Sequence, residues 1–333
     1  MLEHGGRLLQ AIERYGVPRE RWLDLSTGIN PIAWEGEPVP LTSWNRLPEE
    51  EDGLVDAAKT YYKAAAELLP VCGSQAAIQA LPRLRARSRV GVPAFGYNEH
   101  GYRWKQAGHD VVPLLPEEIA AASDTLDVVL VCNPNNPTGE RASPAELLVW
   151  HARLSSRGGW LIVDEAFADS TPENSIARFA DRDGLIVLRS LGKFFGLAGA
   201  RVGFVLSSGT LLTALAEWLG PWTVAGPSRG VAKAALLDHK WQEATRKRLR
   251  NDSQRLAALL ARHGLEPSGG SDLFQWVRTS QAHEIHAALA CQGVLTRHFT
   301  AVPSVRFGLP ATQDDWTRLE EVLPAAGLSG ALT

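Results

Sequence analysis

The chain has 333 residues, of which 45% are hydrophobic and 21% are charged, and its net charge is −3 at pH 7. This composition predicts a globular protein with a large core and room for a second, smaller domain. The slight negative charge argues against a nucleic-acid surface as the main function, and no apolar run approaches the roughly 20 residues that a membrane span needs.

The N-terminus and the cysteines favour an intracellular protein. The first ten residues, M-L-E-H-G-G-R-L-L-Q, lack the basic and apolar segments of a signal peptide. Cys72, Cys132 and Cys291 show no metal-ligand spacing, which is typical of free thiols. We therefore expect a soluble, cytoplasmic protein without a metal site.

Regular structure is sparse over the first 53 residues. Apolar spacing over 8–15 predicts a short amphipathic helix that Gly16 and Pro18 would end. The segment 23–31, L-D-L-S-T-G-I-N-P, is predicted to be extended and then to turn. Residues 33–53 are rich in Pro, Glu and Gly, which indicates a surface connection.

From about residue 52, strands and helices alternate. The predicted strands cover 89–92, 110–114, 127–132, 160–163, 185–188 and 201–206. The intervening helices include one that Ser143 and Glu146 would cap and one near 174–180. Such repeated units predict an α/β fold with a mostly parallel sheet.

The pattern changes after Pro221. Helical segments dominate from about 231 to 263, and short strands are predicted at 274–277, 294–295 and 304–307. We therefore predict a large α/β domain over 44–225. Residues 1–43 and 226–333 would form a small α+β domain.

Three polar residues follow the predicted strands at regular intervals. Asn136, Asp164 and Lys193 lie 28 and 29 residues apart, and one strand–helix–strand unit takes roughly 30 residues. Their side chains are therefore expected at the carboxyl edge of one sheet, where ligands bind in open α/β folds.

The segment 189–203 surrounds the lysine with small residues. Its sequence, R-S-L-G-K-F-F-G-L-A-G-A-R-V-G, follows an apolar run and places an arginine eight residues after Lys193. Desolvation and a nearby cation lower the pKa of an amine and leave it nucleophilic, which suits Schiff-base chemistry.

A carboxylate at a strand end, an aldehyde-reactive lysine and a set of phosphate-binding groups together predict a pyridoxal 5′-phosphate site. Lys193 would bond the cofactor aldehyde and act as the catalytic residue, and Asp164 would hold the ring nitrogen protonated. Asn136 would donate a hydrogen bond to the phenolic oxygen. Phe95, which follows a predicted strand, would stack on the ring.

A second set of residues predicts the cofactor's phosphate site. Ser74 and Gln75 lie at a predicted helix start, where free backbone N–H groups favour an anion. Ser190 and Arg201 would complete the contacts, with the guanidinium as a charge-assisted partner.

These motifs resemble the fold-type-I pyridoxal phosphate enzymes over nearly the whole chain. The resemblance is carried by N-P-N-N-P-T-G at 133–139, V-D-E-A-F at 163–167, and S-L-G-K at 190–193 followed by Arg201. It implies an aspartate-aminotransferase-like fold, with a mostly parallel large domain and a smaller α+β domain. It also implies a homodimer.

Within that superfamily, the chain resembles the histidinol-phosphate aminotransferases and the threonine-phosphate decarboxylases of cobalamin biosynthesis. Four segments favour the decarboxylases, at 4–6, 23–31, 188–194 and 221–224. That resemblance implies decarboxylation of O-phospho-L-threonine to 1-aminopropan-2-ol phosphate. A histidinol-phosphate-type aminotransferase is the alternative.

The resemblance also implies a set of substrate-binding residues. They are His4, Gly5, Gly28, Asn136, Arg297 and Arg306. Arg306 would bind the substrate carboxylate, and Arg297 would help to hold its phosphate.

Two positions depart from the superfamily pattern. Phe167 replaces a tyrosine that hydrogen-bonds the cofactor's ring oxygen in many relatives, a change that the decarboxylase pattern tolerates. Leu47 replaces a tyrosine that reaches the partner subunit's cofactor phosphate, which puts that contact in doubt but not the dimer.

Two other protein classes fit the sequence less well. A non-catalytic ligand-binding regulator would usually carry a DNA-binding domain, and the chain has no spare segment for one. A nucleotide-dependent dehydrogenase would need a G-x-G-x-x-G motif after a strand, which is not present.

Overall fold

The computed structural model describes residues 5–326, which form two compact units. The larger unit comprises 33–136 and 141–244, and the smaller comprises the described residues up to Ile32, Pro137–Glu140, and those from Thr245 onward. Among residues 5–326, no helix has both the length and the apolar character that a bilayer crossing requires.

The strands are short and most of them are buried. They are β1 (Leu23–Asp24), β2 (Glu67–Cys72), β3 (Arg89–Pro93), β4 (Asp110–Leu114), β5 (Val128–Cys132), β6 (Trp160–Asp164), β7 (Leu185–Ser190), β8 (Val202–Ser207), β9 (Gly269–Ser271), β10 (Phe274–Arg278), β11 (Val294–Leu295), β12 (Arg297–Phe299) and β13 (Ser304–Gly308).

Helices alternate with the strands through most of the chain. They are α1 (Leu8–Tyr15), α2 (Thr42–Asn45), α3 (Leu54–Tyr62), α4 (Ser74–Ala80), α5 (Glu99–Gln106), α6 (Ile119–Thr125), α7 (Pro144–Ser155), α8 (Gly209–Leu219), α9 (Gly226–Leu237), α10 (His239–Arg262), α11 (Ala282–Cys291) and α12 (Gln313–Val322).

A seven-stranded sheet organises the larger unit, in the order β2-β8-β7-β6-β5-β3-β4. The strands from β7 to β4 are mutually parallel, whereas β8 runs antiparallel to both β7 and β2. The central strands β5, β6 and β7 are almost continuously apolar and buried, as expected for strands covered on both faces. The predicted mostly parallel α/β sheet is confirmed.

Local sequence signals explain helix α7 and the place of strand β2, and they fail for one predicted helix. The predicted capping box forms at α7, where Ser143 Oγ accepts the Glu146 amide and Glu146 accepts the Ser143 amide. The helix predicted near 174–180 is wrong: this stretch forms 3-10 turns, and the buried Glu165 carboxylate accepts the Ile176 amide. Strand β2 contains Pro70, which an edge strand tolerates.

The smaller unit has its own antiparallel sheet, in the order β12-β13-β10-β9, and β1 pairs with β11 in parallel. Segment 137–140 packs on this sheet, because a Cβ built at Gly139 would lie 1.9 Å from the Gly270 carbonyl oxygen. The unit is α+β, as the sequence predicts.

The larger unit extends beyond the predicted limits of 44 and 225 and includes residues 33–43 and 226–244. Contacts within the larger unit hold residues 33–43 and 226–244 in place. The Trp34 indole donates to the Asp238 carboxylate at 3.1 Å, and the Arg229 guanidinium on α9 binds the Asp52 carboxylate at 2.7 Å. Burial alone would raise the pKa of Asp52, but the hydrogen bonds from Arg229 and the Leu54 amide lower it.

Candidate active site

The carboxyl ends of β5, β6 and β7 lie side by side and carry the predicted constellation. Asp164 ends β6, paired with Cys132 of β5 and Leu188 of β7. A cleft of about 140 Å³ opens at this edge. Seven predicted site residues line it, namely Ser74, Gln75, Asn136, Asp164, Ser190, Lys193 and Arg201.

The loop after β5 is held by its own asparagines. The Asn133 side chain donates to the Ala142 carbonyl at 3.1 Å and accepts the Ala142 amide at 2.9 Å. Asn135 donates to the Phe95 carbonyl at 3.0 Å. These contacts fix the backbone on the N-terminal side of Asn136, which faces the cleft.

The Asp164 carboxylate is buried and oriented by two contacts. His100 Nε2 lies 2.8 Å from Asp164 Oδ2, and the other carboxylate oxygen accepts the Ala166 amide at 3.0 Å. Cys132 lies against this pair, and burial together with the Asp164 charge raises the pKa of its thiol. His100 is not among the predicted site residues, because nothing in N-E-H-G marks a contact with a residue 64 positions away.

Tyr97 and Phe167 are the aromatic residues that line the cleft, and the predicted Phe95 is not among its lining residues. Phe95 lies in the turn after β3, where Asn135 holds its carbonyl, and Tyr97 follows two residues later. The Tyr97 hydroxyl donates to Gln75 Oε1 at 3.0 Å. Burial and the nearby Glu99 carboxylate raise the pKa of Tyr97 to about 12, so the hydroxyl is a hydrogen-bond donor at neutral pH.

One end of the cleft is built for an anion. Gly73 has a left-handed φ of 66° just before α4, and a Cβ there would lie 2.6 Å from Arg201 Nη2. A Cβ at Gly203 would lie 2.5 Å from the Ser74 amide nitrogen. Only glycine at both positions lets the guanidinium lie close to the start of this helix. Ser190 also lines this cleft.

Phe167 forms the wall beside the lysine. The Lys193 ammonium nitrogen lies 5.5 Å from the centre of the Phe167 ring, and the ring is buried. The amine therefore has an apolar neighbour on this side of the cleft.

A buried ionic cluster, comprising Arg189, Glu165 and Asp169, joins the ends of β6 and β7. The Arg189 guanidinium lies 2.5 Å from each carboxylate, and all three side chains are at most 1% exposed. The guanidinium also lies 4.5 Å from the centre of the Tyr62 ring. Burial alone would lower the pKa of Arg189, but the two carboxylates raise it. Glu165 follows Asp164 and Arg189 precedes Ser190, so the cluster ties the two site strands together.

Asn136, which lines the cleft, belongs to the larger unit. The other predicted substrate residues that the structure describes lie in the smaller unit. Arg297 and Arg306 are paired across β12 and β13, and Arg306 donates to the Ser26 carbonyl at 2.7 Å. A Cβ at Gly5 would lie 2.4 Å from that same oxygen. Gly28, two residues after Ser26, is buried, and His4 lies outside the described residues.

Arg306 is almost fully buried. Burial and the neighbouring Arg297 charge lower the pKa of Arg306 to about 9, against an opposing effect of Asp24. Burial and the Arg297 charge both disfavour the charged form of Arg306. An anionic ligand would offset both effects, because it would supply a negative charge beside the guanidinium.

The sequence of the chain is similar to those of proteins of one known family. The model of the class I and II aminotransferase family matches residues 46–322. The threonine-phosphate decarboxylase of Pseudomonas aeruginosa is 56% identical over 97% of each chain. A protein of the same name from Sinorhizobium sp. is 41% identical over 96% of this chain and 97% of its own.

Among solved structures, the histidinol-phosphate aminotransferase from Sinorhizobium meliloti, in complex with pyridoxal-5′-phosphate, matches with a TM-score of 0.81. It is 20% identical and covers 98% of both chains. This likeness confirms the predicted fold-type-I architecture.

Proposed function

Because this chain belongs to the class I and II aminotransferase family, we propose that it decarboxylates O-phospho-L-threonine with pyridoxal 5′-phosphate. The product would be 1-aminopropan-2-ol phosphate, a precursor in cobalamin biosynthesis. The observation that carries the proposal is the 56% identity, over 97% of each chain, to a threonine-phosphate decarboxylase.

The groups that line the cleft fit the cofactor. Lys193 offers the amine for its aldehyde, Asp164 the carboxylate for its ring nitrogen, and Asn136 an amide for its ring oxygen. Arg201 and Ser190 offer a guanidinium and a hydroxyl for its phosphate, beside the space that two glycines leave. When bound, pyridoxal phosphate supplies an electron sink for negative charge at the substrate α-carbon.

His100 is proposed as a positioning residue for Asp164. Its ring is buried against the carboxylate, so it fixes the direction in which the other oxygen can accept a hydrogen bond. The buried ionic cluster fixes the backbone on both sides of the same edge. The chain thus holds the carboxylate and the lysine segment in place before any ligand arrives.

Substrate orientation would decide which group leaves the α-carbon. We propose that Arg306 binds the carboxylate and Arg297 the phosphate of the substrate, with Gly5, Gly28 and the undescribed His4 contributing. Loss of the carboxylate as CO2 leaves an electron pair on the α-carbon. The Lys193 ammonium would deliver the proton that replaces the carboxylate.

Decarboxylation and transamination differ in the compounds that they consume. We expect purified enzyme to release one CO2 for each O-phospho-L-threonine consumed, without consuming 2-oxoglutarate. Histidinol phosphate, offered separately with 2-oxoglutarate, should give little reaction. Transamination of either compound without CO2 release would contradict the proposal and favour an aminotransferase.

The anion end of the cleft offers a direct test of cofactor binding. We expect Gly73→Ala to weaken binding of pyridoxal phosphate at least about tenfold, because the new methyl would displace Arg201 and strain a left-handed backbone, which costs about 1–2 kcal/mol. Fluorescence titration of the apoenzyme measures this affinity. Gly199→Ala, where a Cβ meets no atom within 4 Å, is the matched control and should bind normally.

We also propose that the protein is a homodimer. Leu41, Trp44 and Leu47 are 86%, 67% and 65% exposed. Trp44 lies in the short helix α2, and the two leucines lie on either side of it; apolar surface of this kind supports an interface. Sedimentation velocity should show a dimer. Trp44→Lys should shift it toward monomer, whereas Trp218→Lys, which changes an exposed tryptophan elsewhere in the larger unit, should not. A monomeric wild type would contradict the proposal.

A cytoplasmic location is proposed as well. It is supported by Cys72, Cys132 and Cys291, which are all free thiols, since reducing compartments keep thiols in this form. Cell fractionation with the native protein should recover it with cytoplasmic markers, and recovery with exported proteins would contradict this.

A further inference from the structure

The smaller unit contains a cleft of about 380 Å³ whose walls are strongly basic. Helix α1, the start of α11 and the strand β12 contribute most of its side chains. Its six basic residues are Arg7, Arg14, His283, His286, Arg297 and His298. No aspartate or glutamate is among the described residues that line it, although the whole chain has a net charge of −3.

The basic groups converge on one histidine. The His286 ring stacks on His298 with centroids 5.7 Å apart, and His298 lies 5.5 Å from the His283 ring. Burial and the surrounding charges of His298, Arg14, His283 and Arg297 lower the pKa of His286 to about 4. His286 is therefore neutral at pH 7, and the positive charge of the lining comes from the guanidinium groups of Arg7, Arg14 and Arg297.

Neutral hydrogen-bonding groups accompany these charges. His286 Nδ1 lies 3.0 Å from the Thr296 hydroxyl, and the Gly6 amide donates to Ser26 Oγ at 2.8 Å. Guanidinium groups suit tetrahedral oxyanions, because their paired N–H donors match two oxygens at once. Cationic donors without a carboxylate in the lining favour a doubly charged oxyanion over a zwitterion or a cation.

We propose that this cleft binds a phosphate dianion, with Arg14, Arg297 and His298 as the groups that recognise it. The inference rests on the proposed function in one respect, since Arg297 is assigned there to the substrate phosphate. It adds two recognition groups, Arg14 from α1 and His298, which follows Arg297 in β12. The dianion could be the phosphate monoester of the substrate or free inorganic phosphate, which share this chemistry.

The test is calorimetric titration of the holoenzyme with inorganic phosphate, using Arg14→Gln and His298→Asn. Each variant should bind phosphate about tenfold or more weakly, as expected when one charged hydrogen-bond partner is lost. Arg19→Gln and His263→Asn change the same residue types outside the cleft of the same unit, and they should bind like the wild type. Circular dichroism and melting curves confirm that each variant is folded, and Arg14→Lys should restore part of the affinity.

Two further measurements separate the sources of the dianion. If the substrate supplies it, inorganic phosphate competes with O-phospho-L-threonine, and the variants raise KM by a similar factor while kcat changes little. If phosphate binds in its own right, it binds in the cleft without competing. In both cases the imidazole NMR signals of His286 should titrate at higher pH when phosphate is present, because the anion offsets the cations that lower its pKa.

The inference is overturned if folded Arg14→Gln and His298→Asn bind phosphate as tightly as the wild type, or if the wild type does not bind phosphate. Its failure is distinct from failure of the proposed function. Decarboxylation without phosphate binding in the cleft would reject only the proposed phosphate site. Phosphate binding without decarboxylation would reject only the proposed reaction.

Discussion

Lys193→Ala is expected to abolish decarboxylation and to remove the absorbance of the covalent bond between lysine and cofactor. The amine is the proposed attachment point for the aldehyde and the proposed proton donor to the α-carbon. Proton transfer by a positioned side chain alone contributes about 10²–10⁴-fold to rate, so a loss of at least about 10³-fold is expected. Carbon dioxide release and the near-ultraviolet and visible spectrum measure the two effects.

Lys105→Ala is the matched control, because Lys105 is exposed on α5. It should keep both the spectrum and the activity. An unchanged spectrum in Lys193→Ala would mean that a different lysine bonds the cofactor, and the roles proposed for Asp164 and Asn136 would then need revision.

Arg189→Met is expected to reduce the free energy of unfolding by about 3–5 kcal/mol, which is a large share of the stability of most domains. The change leaves the Glu165 and Asp169 carboxylates buried without their cation. Urea denaturation followed by circular dichroism measures it. The same variant should also bind pyridoxal phosphate more weakly, since the cluster joins the strands that carry Asp164 and Ser190.

The control replaces an arginine of an exposed pair. Arg262→Met removes the contact with Glu320, whose side chain and that of Arg262 are more than half exposed, and such pairs contribute about 0–1 kcal/mol. Restoring charge balance with Glu165→Gln and Asp169→Asn in the Arg189→Met background should recover part of the stability. A loss below about 1 kcal/mol for Arg189→Met would show that the cluster does not need its cation.

The sheet and the central constellation were predictable because they follow from regularities along the chain. Continuous apolar runs such as V-V-L-V-C mark strands buried on both faces. Each strand–helix unit returns the chain to the same edge of the sheet, so the spacing of Asn136, Asp164 and Lys193 predicted that they would meet. The structure brings all three to one cleft.

Features that depend on distant contacts were not predictable in this way. Tyr97 lies in the turn between β3 and α5 and lines the cleft, and His100 in the first turn of α5 contacts Asp164. No periodic pattern marks either position. The helix expected near 174–180 was replaced by 3-10 turns around a buried glutamate. The limits of the larger unit depend on pairs such as Trp34 with Asp238, which no local signal indicates.

The reversal of direction between β7 and β8 has a consequence for the lysine's freedom of movement. Ser190 and Gly203 are neighbours across these strands, and the Leu191 amide donates to the Val202 carbonyl at 3.1 Å. Lys193 thus lies on a short stretch anchored at both ends to one sheet edge. If Lys193 has the two roles proposed for it, this tether would limit its free amine to the reach of its own side chain. The same ammonium group would then stay in range for both cofactor attachment and proton delivery.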